Sequence, residues 1–325
     1  MKKIIGIGNA LIDIILMLED DQILKDFGLP KGSMQLVDYE MANNVMKATE
    51  NLNLQIASGG SAANTIHGLS QLGAPAGYIG TIGKDELGEV FKKDMSSNNI
   101  SPLLSFRDNT KTGRAITLVS KDAERTFATY LGAAAEINEM DINEQIFSGY
   151  KYLHVEGYLL FNHDLLMKSV KLAKAQDMII SLDLASFNVV EANLEFLRKF
   201  VPEYIDIIFA NEEEAKAFTG KEPEDALEEI SQMCDIAVVK IGSKGSMVKR
   251  GNEKVMVGIV KTNAIDTTGA GDLYAAGFLY GLLNNKSLLV CGNLGALLAA
   301  RVIEVAGAKI TDERWKEIKR YLETI

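Results

Sequence analysis

The run Asp266-Thr-Thr-Gly-Ala-Gly-Asp272 gathers carboxylates, hydroxyls and glycines just before an apolar stretch, Leu273-Tyr-Ala-Ala-Gly-Phe-Leu-Tyr280. Small residues let a backbone turn tightly and come close to a ligand. A helix that follows directs free N–H groups and its positive dipole end at whatever lies there. Such a turn suits the charge that builds on a phosphoryl group during transfer. Asp272, near the helix start, would face both an acceptor hydroxyl and the phosphoryl group. The same residues also describe a capped helix, with Asp266 or a threonine as cap and Asp272 complementing the dipole. On physics alone the two readings stand level. No G-x-x-x-x-G-K-[ST] run accompanies the turn, and Gly6-Ile-Gly8 has Leu11 where a G-x-G-x-x-G fingerprint needs its third glycine. A Rossmann dehydrogenase is therefore disfavoured.

The elements that must hold this turn are legible as alternation. Ile4–Ile7, Tyr78–Ile82, Tyr152–Val155, Ile179–Leu182, Ile207–Ala210 and Ala237–Ile241 read as buried strands. Helical patterns such as Glu86–Met95, Asp164–Ala175 and Ala226–Met233 lie between them. Alternation of this kind predicts an α/β fold, a parallel sheet sandwiched between helices. Leu11–Val37 and Ser105–Leu131 break the pattern with half-polar stretches, among them Arg114-Ala-Ile-Thr-Leu-Val-Ser120 and Arg125-Thr-Phe-Ala-Thr-Tyr130. These regions could pair into a small β-sheet lid, contributed by about residues 10–38 and 105–132. With no Pro/Gly/Ser linker and no internal repeat, residues 1–325 are expected to form a single domain. Its last third reads as consecutive helices, Ala270–Leu283, Leu288–Val305 and Glu313–Leu322.

Bulk properties narrow the partners. With 34 basic and 44 acidic residues the formal charge is −10, which argues against a broad nucleic-acid surface. Cys234 and Cys291 form no CxxC pair and are expected as free thiols in a reducing compartment. His67, His154 and His163 lack zinc-ligand spacing. The apolar run after Lys2 and Lys3 is interrupted by glycines, Asn9 and Asp13, so it reads as a buried strand rather than a leader. No segment reaches the about 18 uninterrupted apolar residues of a membrane span. A cytoplasmic protein without membrane partner is the expectation.

Ser58-Gly-Gly-Ser-Ala-Ala-Asn64, continued by Thr65-Ile-His-Gly-Leu-Ser-Gln-Leu-Gly73, stands far upstream of Asp266–Asp272. Together the two runs resemble the N- and C-terminal signatures of the ribokinase-like (PfkB) carbohydrate kinases, in the family's order and separation. The resemblance covers essentially the whole chain. It implies the ribokinase-like fold, with nucleotide on the large α/β body and a β-sheet lid over the substrate. It also implies Gly269, Ala270 and Gly271 as an anion hole and Asp272 as the base, with ATP and magnesium as cofactors. Asn211-Glu-Glu-Glu214 matches the family's N-x-x-E motif, so Asn211 is implied in nucleotide binding and Glu214 in organising magnesium, indirectly. An N-capped acidic helix start is fully compatible with that. Lys240-Ile-Gly-Ser-Lys-Gly245 resembles the family's nucleotide loop and puts Lys240, Gly242 and Gly245 beside Thr267 as nucleotide contacts. A potassium ion near the Asp266 loop is a further family-level expectation. Both monomer and homodimer stay open.

For the acceptor, the resemblance implies Asp13 as the holder of sugar hydroxyls, with Asn9, Gly59, Gly60 and Asn64 beside it. A lone acid within an apolar run is costly unless partnered, which fits Asp13. Glu156 ends a strand and either faces the substrate or is a satisfied structural carboxylate. Gly8-Asn-Ala-Leu-Ile-Asp-Ile14 and Thr129-Tyr-Leu-Gly-Ala-Ala134 are more similar to adenosine kinases than to ribokinases. Departures are present: Gly157 is followed by Tyr158 and Leu159 rather than paired phenylalanines, and Ala62 and Ala63 replace more polar residues. Adenosine or a related nucleoside leads as substrate, with ribose, fructose or another free sugar behind it. A nucleoside needs an apolar slot, for which Leu11, Met34, Phe127, Tyr130 and Tyr158 are the candidates. A binder of nucleoside or sugar without catalysis is the third reading, disfavoured by the intact Asp272 and glycine turn.

Overall fold

The computed structural model describes residues 2–122 and 124–323. The outermost positions of the 1–325 range, and Ala123 within the second expected lid segment, lie outside the described residues. In chain order the strands are β1 (Ile4–Ile7), β2 (Leu11–Met17), β3 (Met34–Leu36), β4 (Leu54–Gly59), β5 (Ala76–Gly83), β6 (Ile100–Arg107) and β7 (Gly113–Val119). They continue as β8 (Arg125–Tyr130), β9 (Tyr152–Glu156), β10 (Ile179–Asp183), β11 (Ile207–Asn211), β12 (Ile236–Lys240), β13 (Ser246–Arg250) and β14 (Glu253–Val257). Among the described residues, nine strands form one sheet in the order β14-β13-β12-β11-β10-β9-β1-β5-β6. From β12 to β6 all neighbours run parallel, and β13 and β14 add an antiparallel edge. β1, β5 and β9 are buried along their whole length, because helices cover both faces of a parallel sheet. Ile4 packs into the core with Ile66, Leu273 and Phe278, whereas Ile5 and Ile7 point into the opposite core with Val155, Leu166 and Leu182.

The parallel strands share one carboxyl edge, where α/β sheets bind ligands. Glu156, Asp183, Asn211 and Lys240 end four adjacent strands there, with Asp183 in register with Glu156 and Asn211 with Lys240. Each strand of branched apolar residues thus delivers one polar side chain to the same rim.

A smaller sheet of five strands, β3-β8-β7-β2-β4, stands apart from the large one. The two regions singled out by their alternation supply β2, β3, β7 and β8; β4 comes from between them. Ser105–Arg107 instead finish β6 of the large sheet. Residues alternate across this small sheet. Asp13, Ala115, Thr129 and Leu36 share one face by register, while Ile12, Ile14, Leu16 and Ile116 are buried on the other with Ala42 and Val45 of the helix Tyr39–Ala48. That pattern puts the single acid of β2 on the face turned to the large sheet's rim.

Candidate active site

A cleft of about 2180 Å³ lies between the rim of the large sheet and the small sheet. Single small-molecule pockets run to about 1,000 Å³, so there is room for a nucleotide and an acceptor together. At its centre the helix Ala270–Leu283 begins. Its N-cap is Gly269, in left-handed conformation (φ 75°), with no side chain capping the first turn. A residue with a Cβ there would also strike Ala308, 2.6 Å away. Neither Asp266 nor a threonine is the cap. Of the first-turn N–H groups, which have no acceptor one turn back within the helix, that of Ala270 donates to the Thr267 carbonyl at 3.2 Å, while Gly271 and Asp272 line the cleft at the dipole end. Asp266 is buried behind the turn, accepting from the backbone N–H of Thr268 (2.8 Å) and Gly307 (2.5 Å) and paired with Arg125.

Asp272 sits in the first turn of the same helix. Its Oδ1 accepts from Ser61 Oγ at 2.7 Å and its Oδ2 from Asn64 Nδ2 at 3.0 Å. Burial pushes its pKa up to about 6, against the pull of those two hydrogen bonds. It is thus ionised at neutral pH, yet more basic than an ordinary aspartate. Asn64 spends its amide N–H on this carboxylate, while its Oδ1 is buried without a partner among the described residues. That acceptor is available to a hydroxyl donor. Ser61 was not singled out from the sequence; its position three before Asn64, on one face of the helix Ser61–Gln71, is the signal that could have found it.

On the nucleotide side, the Lys240 ammonium stands so close to the turn that a Cβ on Gly271 would lie 3.1 Å from it. The same ammonium pairs with Asp183 Oδ2 at 3.2 Å. Burial works against its charge, but Asp183, Glu214 and Asp272 outweigh it and push the Lys240 pKa up. Gly242 (φ 54°) and Gly245 (φ 99°) shape the next turn, and a Cβ at Gly245 would meet the Val257 carbonyl at 2.0 Å. Both line the cleft, as do Thr267, Asn211 and Glu214. Asn211 and Glu214 form a capping box on the helix Glu212–Thr219: Asn211 Oδ1 accepts from Glu214 N, and Glu214 accepts from Asn211 N and Nδ2. The capped-helix reading and the cleft position thus coexist. Burial first, then Asp183, pushes the Glu214 pKa up to about 7. Asp183 went unremarked in the sequence because a single acid ending an apolar run carries no spacing signal.

On the acceptor side, burial pushes the Asp13 pKa up to about 6, opposed by Lys309 and reinforced by Asp272. Its carboxylate lies flat on Gly59, where a Cβ would come within 2.2 Å of Asp13 Cγ. Gly60 (φ 98°) passes so near the Asn9 carbonyl that a Cβ would meet it at 2.1 Å. Glu156 fastens backbone and also lines the cleft. Its Oε1 accepts from Asn9 Nδ2 (2.7 Å) and N (3.3 Å), and its Oε2 from Ala62 N (3.0 Å), fastening the end of the first strand to the start of the helix Ser61–Gln71. Burial nonetheless pushes its pKa up to about 7. Leu11, Met34, Phe127 and Tyr158 line the cleft. Tyr130 does not join them: pleating turns it to the opposite face, against Tyr39 at 5.5 Å between ring centroids. Phe161 takes its place. It shares the short 3-10 turn Gly157–Phe161 with Tyr158, and a spacing of three puts both rings on one side of it.

Among the described residues no three His, Cys, Asp or Glu side chains converge to cage a metal. The Asp183–Glu214 pair fits instead the way magnesium is usually held, by one or two carboxylates, waters and substrate phosphates.

Residues 32–315 match the model of the pfkB family carbohydrate kinases. An uncharacterized sugar kinase of Archaeoglobus fulgidus is 31% identical over 243 residues, which cover 74% of this chain and 96% of the relative. The crystal structure of adenosine kinase from Sinorhizobium meliloti superposes with a TM-score of 0.87 at 34% identity, covering 98% of this chain and 99% of that one. A probable sugar kinase from Rhizobium etli CFN 42 gives 0.88 at 31% identity, with 98% of each chain covered. A mostly parallel sheet with a smaller sheet beside it is the architecture of these neighbours. The chain belongs to the pfkB family of carbohydrate kinases, phosphotransferases that act on hydroxyl groups of sugars or nucleosides.

Proposed function

We propose that the protein transfers the γ-phosphoryl group of magnesium-ATP to the 5′-hydroxyl of adenosine or a related nucleoside. The observation that carries the transfer is Asp272 in the first turn of a helix without a side-chain cap, held by Ser61 and Asn64 inside the cleft. The acceptor oxygen loses its proton to Asp272 as its bond to the γ-phosphorus forms. The bond from that phosphorus to the bridging oxygen breaks, and ADP leaves with the electron pair. Charge on the phosphoryl oxygens meets the N–H groups of the Gly269–Gly271 turn and the Lys240 ammonium. Asp183 and Glu214 would hold magnesium, which would supply further charge neutralisation at the phosphates. Phosphoryl transfer leaves little covalent chemistry to the protein itself, so positioning and charge stabilisation carry the rate. The small sheet acts as a lid, and the chain as a single catalytic domain.

The acceptor sits between Asp13, Gly60 and the free Oδ1 of Asn64. Apolar walls beside these polar groups, with Tyr158 and Phe161 on one turn, favour a base-bearing acceptor over a free sugar, whose pocket should be smaller and more polar. The likeness to the Sinorhizobium meliloti protein supports the same choice.

Phosphate transfer from magnesium-ATP to adenosine, other nucleosides, ribose and fructose tests it. Selective turnover of adenosine at the 5′-hydroxyl is the expected result; turnover of ribose or fructose with none on adenosine would discard the nucleoside assignment and keep the kinase. Gly59 offers a finer check. An alanine there displaces the Asp13 carboxylate, so Gly59→Ala should raise the acceptor KM about tenfold, the scale of an overpacked contact of roughly 1–3 kcal/mol. The KM for ATP should stay within about twofold. Equal rises in both KM values would mean a general distortion rather than a displaced acceptor contact.

A further inference from the structure

Lys309 carries a cation behind the acceptor side of the cleft. It follows Gly307, whose N–H donates to Asp266 at 2.5 Å, and Ala308, which packs against Gly269. From there its side chain crosses to the small sheet, where Nζ donates to Ser58 Oγ at 3.2 Å. Ser58 is fully buried in β4, in register with Ile12 of β2 and next to Gly59, on which the Asp13 carboxylate lies. The Ser58 hydroxyl donates onward to Asp94 of the helix Glu86–Ser97, whose other oxygen accepts from Asn98 Nδ2 at 3.0 Å. Asp94 thus meets the ammonium through a hydroxyl, so the charge of Lys309 is not consumed by one carboxylate. Burial pushes the Lys309 pKa down, opposed by Asp94, Asp13 and Asp272. His67 of the helix Ser61–Gln71 also faces it, but burial, and then Lys309 itself, push that imidazole down to about 3 and keep it neutral. One cation therefore stands among three carboxylates borne by three different elements. Asp272 also has Lys240, whereas Lys309 is the cation that acts on Asp13.

We propose that Lys309 is a positioning residue for the acceptor: held by Ser58 behind Gly59, its ammonium is the counter-ion of the Asp13 carboxylate. This deepens the role given to Asp13 above and rests on the kinase reading. An ionised Asp13 accepts from two hydroxyls of the acceptor at once, whereas the protonated acid must donate one hydrogen bond and no longer holds a pair of donors. Burial and the neighbouring Asp272 both favour that protonated form, and Lys309 opposes them. The lysine does not line the cleft. It thereby sets the lower pH limit of acceptor binding without touching the acceptor, through a charge anchored to the strand that Asp13 packs on.

The experiment is the pH dependence of steady-state kinetics for Lys309→Met, on whichever of adenosine, ribose and fructose the wild-type enzyme turns over. The Asp13 step in kcat/KM should move up by about one pH unit, the low end of what a lost neighbouring charge does to a carboxylate. The acceptor KM is then raised about fivefold near pH 6 and lies within about twofold of wild type near pH 8.5, where Asp13 is ionised in both proteins. The KM for ATP should stay within about twofold throughout. Lys309→Arg keeps the charge and should keep the wild-type step. An acceptor KM raised by the same factor at both pH values would overturn the proposal, since that marks a merely structural lysine. So would a Lys309→Met profile that superposes on wild type, or a Lys309→Arg step displaced as far as that of Lys309→Met. If Lys309→Met does not fold, Asp94→Asn decides. Relieving the ammonium of its competing carboxylate should move the Asp13 step to lower pH by about a few tenths of a unit, and a step that stays or rises would overturn the proposal. A wild-type protein that transfers phosphate to no acceptor would be a failure of the kinase reading, visible before any variant is made.

Discussion

Asp272→Asn is expected to lower turnover by a factor between about a hundred and ten thousand, the range that a positioned general base supplies, while the acceptor binds within a few-fold of wild type. The replacement is close to isosteric. Asn64 can still donate to the remaining oxygen, and the Ser61 hydroxyl can turn to accept from the new N–H, which leaves Asn64 Oδ1 to the acceptor. The variant should therefore fold, and the loss belongs to the proton transfer. Acceptor affinity measured by equilibrium titration separates the two effects; near-normal kcat would remove Asp272 from the mechanism.

The same assignment fixes a pH dependence and its sign. Burial pushes both Asp272 and Asp13 up to about 6, and each must be ionised, one to take a proton and one to accept hydroxyl hydrogen bonds. Values of kcat/KM report groups of the free enzyme. They should be flat above about pH 7 and fall as pH drops through 6, with a limiting slope approaching two decades per pH unit because two carboxylates protonate. The residual activity of Asp272→Asn should retain only the Asp13 limb, a slope of about one. An acidic limb unchanged by the substitution would assign it to other groups.

What could be read from the sequence followed what is periodic or locally spaced. The buried runs from Ile4–Ile7 to Ile207–Ala210 are strands because a parallel sheet covered on both faces needs continuous apolar segments. The strands that went unread lack that signature. Leu54–Gly59 is an edge strand with Leu54, Gln55 and Ile56 all exposed, and Glu253–Val257 ends the large sheet with Glu253, Lys254 and Met256 exposed. Site residues divide in the same way. Glycines that a turn requires, such as Gly60 and Gly245, sit in recognisable runs, whereas Asp183 and Arg125 acquire their surroundings only from strand order and pleat. Tyr130 is the converse case. Its residue type fits a base slot, but one step of strand alternation carries it to the far face. Glu156 combines both options that a strand-end carboxylate offers, since it fastens backbone through three donors and lines the cleft as well.

The second large effect is expected at Lys240. Its ammonium neutralises Asp183 directly and moderates Glu214 and Asp272, so Lys240→Met leaves three carboxylates facing one another beside the glycine turn. Removing one partner of a buried pair costs about 3–5 kcal/mol, most of it the charge left behind. Two consequences follow, and they can be separated. Part of the loss is stability of the free protein, which Asp183→Asn in the same chain should return by removing the orphaned charge. The other part is catalytic: without a cation next to Gly271, charge on the transferring phosphoryl group loses a partner that fixed clamps of this kind make worth at least about a hundredfold in rate. Asp183→Asn cannot return that. Thermal unfolding and single-turnover transfer on Lys240→Met and on the Lys240→Met/Asp183→Asn pair give the answer. Because Asp183 is itself placed to hold magnesium, Asp183→Asn alone is the reference: recovery of stability with transfer still well below that single variant assigns the ammonium to the phosphoryl group. If transfer recovers together with stability, Lys240 serves only to balance Asp183, and the charge in the transition state must be met by the backbone of the turn alone.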